Sequence, residues 1–165
     1  MINQLSVDAA TDMMMKFIQS IGIGVHEAEL PHDTFLPGVS PRGASLLVDR
    51  RRLLYPGDLL HEAGHIACAP PEQRALFNGN AGDDPAEEMM AIAWSYAAAL
   101  HIGLDPAIVF HEHGYKGGSA SILENFERGR TVGVPMLQWL GMSYMEEEAA
   151  SRGVPAYPAM VRWIR

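Results

Sequence analysis

The chain has 165 residues, of which 48% are hydrophobic and 19% are charged, the balance of a folded domain rather than of a disordered chain. A net charge of −8 argues against a nucleic-acid-binding surface, and no apolar run approaches the roughly 20 residues needed to span a bilayer. A single cysteine excludes a disulfide framework within the chain, and the N-terminus lacks the basic segment of a signal peptide. We therefore expect one cytoplasmic domain over residues 1–165, with neither a nucleic acid nor a membrane as partner.

The first part of the chain is predicted to form a helix and a small sheet. Apolar side chains recur at mostly helical spacing over residues 9–21, and Gly22 ends that helix. Residues 25–41 are rich in proline and glycine and indicate loops with short extended pieces. A strand is predicted at residues 45–49, followed by a charged turn and a short strand or approach segment at 53–55. The free edge of such a strand can bind an extended peptide, although plain packing on the next helix explains it equally well.

The most informative stretch is residues 57–68, a predicted helix with Asp58 as N-cap that contains one His-Glu-x-x-His motif. His61 and His65 are four residues apart, so both imidazoles can point from one helix face at one ion. Two imidazole nitrogens supply half of a tetrahedral zinc site. Glu62 is rotated off that face, where its carboxylate can act as the general base of a zinc peptidase. The competing interpretation is two buried histidines satisfied by hydrogen bonds, and a third ligand decides between the two.

A second buried helix is expected to supply that third ligand. Asp84 is placed as its N-cap and Pro85 as its first residue, and the run through Leu100 is nearly all apolar. Its first turn carries Glu87 and Glu88. Glu87 is placed to fold back on the N-cap amide, so Glu88 is the preferred metal ligand and Glu87 the second choice.

A polar, glycine-rich segment at residues 111–119 is the second most informative region, and it follows a helix predicted at 107–111. A zinc peptidase needs a hydrogen-bond donor for the oxyanion of its transition state, commonly a histidine or tyrosine on a loop. His111, His113 and Tyr115 are the candidates for this catalytic role. The alternative is a surface loop without a catalytic part.

The remaining chain is predicted to form short helices. Two capping boxes, Ser121-x-x-Glu124 and Ser143-x-x-Glu146, indicate helix starts, and an amphipathic helix is expected at 135–140. The tail through Trp163 is expected to dock on the core or on a neighbouring molecule.

On these motifs the chain resembles the ImmA/IrrE-type zinc metallopeptidases over roughly residues 10–100. The resemblance rests on the strand at 45–49, the His61-to-His65 motif and the Glu88-x-x-Ala91 helix. It implies a zincin-like α+β fold, mostly helical, with a small sheet beside the motif helix. It also implies a gluzincin-like Zn²⁺ site at His61, His65 and Glu88, and relatives that commonly cleave a regulatory protein. The chain departs from the family pattern at Ile92, where an asparagine or aspartate often stands, and no helix-turn-helix fits before residue 25.

Three functions are consistent with the sequence. The first is a zinc-dependent endopeptidase that acts on a protein or peptide. The alternative is a catalytically inactive zinc-binding regulatory or interaction module, in which a protein group such as Cys68 fills the fourth coordination position. The third is a metal-dependent hydrolase of small molecules, which requires a closed pocket rather than an open cleft.

Overall fold

A computed structural model describes residues 5–165 and shows an α+β fold, which confirms the predicted class. In chain order, its elements are α1 (Val7–Ser20), β1 (Gly24–Glu27), β2 (Val39–Arg42), β3 (Ser45–Val48), α2 (Asp58–Cys68), α3 (Pro71–Arg74), α4 (Pro85–His101), α5 (Ser119–Glu127), α6 (Val134–Trp139) and α7 (Glu146–Arg152). A single 3₁₀ turn lies at Pro106–Ile108, and residues 115–117 form a turn with a left-handed backbone. Across residues 5–165, none of the helices combines the length and the apolar character that crossing a membrane requires.

The three strands form one mixed sheet in the order β1-β3-β2. The central strand β3 pairs in parallel with β1, where Gly24 faces Ser45, and antiparallel with β2, where Val39 faces Val48. Leu46 and Val48 on β3 are fully buried, because side chains of one strand alternate between the two faces and these two point at the core. The sheet therefore supports the helices on one face.

The outer edge of β2 is covered by the chain that follows α3. The Gly79 amide donates to the Pro41 carbonyl at 2.8 Å, and the Gly43 amide donates to the Phe77 carbonyl at 2.8 Å. An extended peptide needs unpaired backbone groups on a strand edge to add to a sheet. The strand predicted at 45–49 is the central strand β3 and has no free edge, and this cover occupies the backbone groups at the C-terminal end of β2, so strand addition is blocked there too.

Helices α2 and α4 pack against each other in the middle of the core. Gly64 on α2 faces α4 so closely that a methyl group there would lie 3.1 Å from the Ala91 carbonyl oxygen and 3.2 Å from Ser95 Oγ. Ser95 in turn donates its hydroxyl to the carbonyl of Ala91 and contacts that of Leu60 at 3.2 Å. Because small residues line the crossing, the first turn of α4 reaches the middle of α2.

Residues 163–165 dock on this core, one of the two predicted outcomes for the tail. The Trp163 ring packs edge-on against Phe17 at 4.9 Å and against Trp94 at 5.5 Å. Trp94 donates its indole N–H to the Trp163 carbonyl at 3.0 Å, and the Arg165 amide donates to the Ala67 carbonyl at 2.9 Å. By contrast, the Trp139 side chain at the end of α6 is 89% exposed. The tail thus links α1, the end of α2, and α4.

Two predicted helix starts differ from the structure because a distant partner takes the capping side chain. Asp58 is the first residue of α2 rather than its N-cap, and its carboxylate pairs with His111 instead. Ser143 donates its hydroxyl to the Ala159 carbonyl at 2.7 Å, so α7 starts after Met145 without a side-chain cap. Aspartate and serine side chains can bond to remote groups as well as to the local backbone, so their position in a capping pattern does not ensure a cap.

Two further local predictions are wrong in extent. The helix predicted at 107–111 is one 3₁₀ turn at Pro106–Ile108, after which Phe110 enters the core. Helix α5 begins at Ser119, two residues before the predicted capping box, and its N-cap Gly118 makes no side-chain hydrogen bond. The Ser119 hydroxyl donates to the His111 carbonyl at 2.6 Å, which ties the start of α5 to the preceding segment.

Gly57, the N-cap of α2, is required by close packing and not by its backbone angle. Its φ of −62° suits any residue, but an added Cβ would overlap the Ile108 carbonyl oxygen and lie 2.6 Å from Val109 Cα. We expect Gly57→Ala to lower the free energy of unfolding by about 3 kcal/mol, because backbone atoms on both sides must move apart. Urea unfolding of the wild type and the variant measures this difference, and a loss below about 1 kcal/mol would contradict the packing argument.

Candidate metal centre

Three side chains from α2 and α4 converge at the crossing of the two helices. One potential ligand atom from each of His61, His65 and Glu88 lies within 4.8 Å of the other two. His65 Nε2 is 2.8 Å from one Glu88 oxygen, and His61 Nε2 is 3.6 Å from the other. The four-residue spacing on α2 aligns the two imidazoles, and the close approach of α4 brings the carboxylate to them. The group is close enough to hold one metal ion.

The alternative ligands lie outside this group. Glu87 is half-buried beside Gly82, and the Asp84 carboxylate accepts hydrogen bonds from the Ala86 and Glu87 amides at 2.7 and 3.2 Å. The backbone amide of Glu87 therefore takes part in the N-cap of α4, while its side chain lies beside Gly82. Cys68 is buried at the far end of α2, where burial raises the pKa of its thiol to about 12.

Burial and mutual contacts shift the pKa values of the three side chains in different directions. Burial lowers the pKa of His61 to about 4, and nearby His65 acts in the same direction, so the His61 imidazole is neutral at pH 7. Burial alone would lower the pKa of His65, but its hydrogen bond to Glu88 and the Glu62 charge raise it overall. Burial would raise the pKa of Glu88, yet the same hydrogen bond lowers it. A metal ion would replace the proton that His65 and Glu88 share.

Glu62 is buried next to the ligand group without belonging to it. The side chain is 3% exposed, and one of its oxygens lies 3.9 Å from His61 Nε2. Burial raises the pKa of Glu62 to about 7, and the charges of Asp58 and Glu88 act in the same direction against the opposing effect of His65. A carboxylate with such a pKa can both accept and return a proton near neutral pH.

His111 is held by two side chains, Asp58 at the start of α2 and Tyr55 just before that helix. Its Nε2 is 3.0 Å from Asp58 Oδ1, and its ring stacks on Tyr55 with the centroids 4.1 Å apart. Among residues 5–165, neither His111 Nδ1 nor Asp58 Oδ2 has a hydrogen-bond partner, although both atoms are buried. Burial raises the pKa of Asp58, while its hydrogen bond to His111 opposes that shift.

The other two candidates of this segment differ in exposure and contacts. His113 has an exposed side chain that contacts Glu112 at 3.2 Å and lies near Tyr55, with ring centroids 5.5 Å apart. Tyr115 is partly buried, and its hydroxyl is 2.8 Å from His61 Nδ1. The structure thus brings Tyr115 to a candidate ligand, His111 to Asp58, and His113 to the rim. Their predicted oxyanion role stays a prediction.

Asp58 and Tyr55 are site residues that the sequence did not single out. Asp58 lies four residues before Glu62, so the two carboxylates share a face of α2, and this spacing was the available signal. The sequence pattern instead indicated that Asp58 was an N-cap. Tyr55 precedes α2 and carried no motif at all.

The ligand group lies in a cavity of about 800 Å³ that is partly open to solvent. Its walls are mainly apolar, and Phe35 at the rim is 66% exposed. The cavity is bordered by residues 35–37, Tyr55, the ligand face of α2, residues 80–83, Pro85, Glu88, Ile92, His111, residues 113–116 and Ile122. A second cavity of about 680 Å³, next to Arg130 and Glu147, contains none of the ligands. The candidate centre therefore has access to a cleft of the size that binds ligands.

Comparisons of this chain with protein-family models, with curated proteins and with solved structures found no match. A function for this chain is therefore inferred from its residues and from their arrangement around the cleft. That arrangement combines two imidazoles, a carboxylate and a second, buried carboxylate within one helix crossing.

Proposed function

We propose that the chain is a zinc-dependent endopeptidase with a gluzincin-like zincin fold, acting on a protein or peptide substrate. The observation that carries this proposal is the convergence of His61, His65 and Glu88 in a cleft, beside the buried Glu62. Catalytic zinc sites typically have three protein ligands of this kind and one position open to water or substrate. The same residues are those that the resemblance to the ImmA/IrrE-type metallopeptidases implies.

The donor set fits zinc better than it fits a hard cation. Imidazole nitrogen suits Zn²⁺, whereas Mg²⁺ and Ca²⁺ prefer a shell of oxygen ligands. His61 and His65 would hold the ion through Nε2 and Glu88 through a carboxylate oxygen, the atoms that face one another. A structural zinc site would need a fourth protein ligand, and Cys68 lies outside the group. Three ligands at an accessible cleft support catalysis over a purely structural role.

When bound, zinc would supply Lewis acidity that lowers the pKa of a coordinated water and polarises the scissile carbonyl. Glu62 would take a proton from the attacking water and return it to the leaving amine nitrogen. The 111–115 segment lines the same cleft and is the proposed source of the oxyanion donor. Of the two histidines, His113 is the better candidate, because its imidazole is exposed whereas that of His111 is paired with Asp58.

The cleft supports a peptide substrate more than a small molecule. Its volume of about 800 Å³ is within the usual range of ligand pockets, so it is the opening of the cleft to solvent that favours an extended peptide chain. Phe35 and Leu36 provide an apolar wall for a hydrophobic side chain of the substrate. A regulatory protein, as the resemblance implies, is one such substrate.

Metal analysis combined with a hydrolysis assay tests the proposal. We expect about one zinc ion per purified chain and cleavage of a fluorogenic peptide library that a chelator abolishes and added zinc restores. A matched library with blocked, non-hydrolysable bonds controls for a change of fluorescence on binding. A chain without zinc, or hydrolysis that persists at full chelation, would refute the proposed function.

A further inference from the structure

Tyr115 sits on a backbone that a residue with a side chain rarely adopts. Its φ is 54°, and that of the next residue, Lys116, is 53°. These angles lie in the left-handed region, which is unfavourable for residues other than glycine. Two such residues in succession persist only where contacts elsewhere in the structure compensate for the strain. The contacts of the Tyr115 side chain can supply this compensation.

The Tyr115 side chain is fixed at both ends. Its hydroxyl lies 2.8 Å from His61 Nδ1, and its ring meets the His61 ring edge-on with centroids 5.3 Å apart. The same ring packs against Phe110 at 5.2 Å. The strained turn thus places a hydroxyl on the far nitrogen of a candidate ligand.

We infer that Tyr115 is a positioning residue for the metal: its hydroxyl holds the ring orientation of His61 by accepting Nδ1–H when Nε2 binds the metal. Neutral imidazole carries one N–H, and only the other nitrogen has a lone pair for a metal. With Nδ1–H donating to the Tyr115 oxygen, the lone pair of His61 is on Nε2, the nitrogen that faces Glu88. Metal-ligating histidines usually have such a partner, and losing it typically weakens metal binding. This inference rests on the zinc site of the proposed function and not on hydrolysis.

This role differs from that of an oxyanion donor. An oxyanion donor acts on the transition state and leaves metal affinity largely unchanged, whereas a partner of His61 acts on metal binding before any substrate arrives. Zinc affinity therefore distinguishes the two roles without an activity assay.

Tyr115→Phe and the matched control Tyr157→Phe form the test. Tyr157 is also a partly buried phenol, but it donates its hydroxyl to the Ala93 carbonyl at 2.9 Å. Each substitution removes one buried hydroxyl and keeps the ring. In a competition with a chromogenic chelator, we expect zinc to bind about 10- to 100-fold more weakly to Tyr115→Phe than to the wild type. Tyr157→Phe should stay within about twofold of the wild type.

Nitrogen-15 NMR of the zinc-loaded wild type provides a second readout, in which His61 should carry its proton on Nδ1. Zinc affinity of Tyr115→Phe within about twofold of the wild type, or an equal loss in Tyr157→Phe, would overturn the inference. A proton on His61 Nε2 in the zinc-loaded chain would also overturn the inference. A wild type that binds zinc but cleaves nothing refutes the endopeptidase and leaves the role of Tyr115 standing, while a wild type that binds no zinc refutes both.

Discussion

Glu62→Gln is expected to lower kcat for peptide hydrolysis by about 10²- to 10⁴-fold, the usual contribution of a general base. The amide keeps the size of the buried side chain but cannot take the proton of the attacking water. Because Glu62 lies 3.9 Å from His61 and outside the ligand group, the variant should still bind zinc. Steady-state kinetics and metal analysis on the same preparation measure both properties.

The control for this variant is Glu72→Gln, which changes an exposed carboxylate on α3 that neither belongs to the ligand group nor lines the cleft. It should hydrolyse peptides at the rate of the wild type. If Glu62→Gln cleaved as fast as Glu72→Gln, the carboxylate of Glu62 would have no part in proton transfer.

Glu88→Gln should weaken zinc binding by more than about 100-fold, because loss of a direct ligand exceeds the 10- to 100-fold effect of losing an outer partner. The substitution removes the negative charge and the carboxylate oxygen that lies 2.8 Å from His65 Nε2. Isothermal titration of the metal-free chain with zinc gives the affinity. Any proton that the ligand group releases on binding would appear as a dependence of the observed heat on the buffer.

Glu87→Gln is the matched control, since Glu87 is the adjacent residue on the same turn and lies outside the ligand group. We expect its zinc affinity to equal that of the wild type. The reverse pattern, with Glu87→Gln weakened and Glu88→Gln unchanged, would transfer the third ligand to Glu87.

Elements with strong local signals were predictable from the sequence. The start of α4 follows from Asp84 as N-cap and Pro85 at the first position, and the structure shows Asp84 accepting the amides of the first turn. The spacing of His61 and His65 defined one helix face, and the small residues of α4 allowed the approach that brings Glu88 to it. In each case the information lies within a few residues of the chain.

Contacts between distant residues were not predictable in the same way. Asp58 has the sequence context of a cap, but its partner His111 is 53 residues away. Tyr115 reaches His61 across 54 residues, through backbone angles that its residue type does not favour. Such contacts depend on how the completed core places two segments, and a single sequence carries no local pattern for them.

The placement of the three tryptophans gives the chain a built-in optical probe. Trp94 and Trp163 pack edge-on in the core, while Trp139 is already 89% exposed. Unfolding should therefore shift the emission of the buried Trp94 and of the partly buried Trp163 to longer wavelength, with Trp139 as a nearly constant background. Since Trp94 is on the helix that carries Glu88, intrinsic fluorescence would report on the folding of that helix without any label.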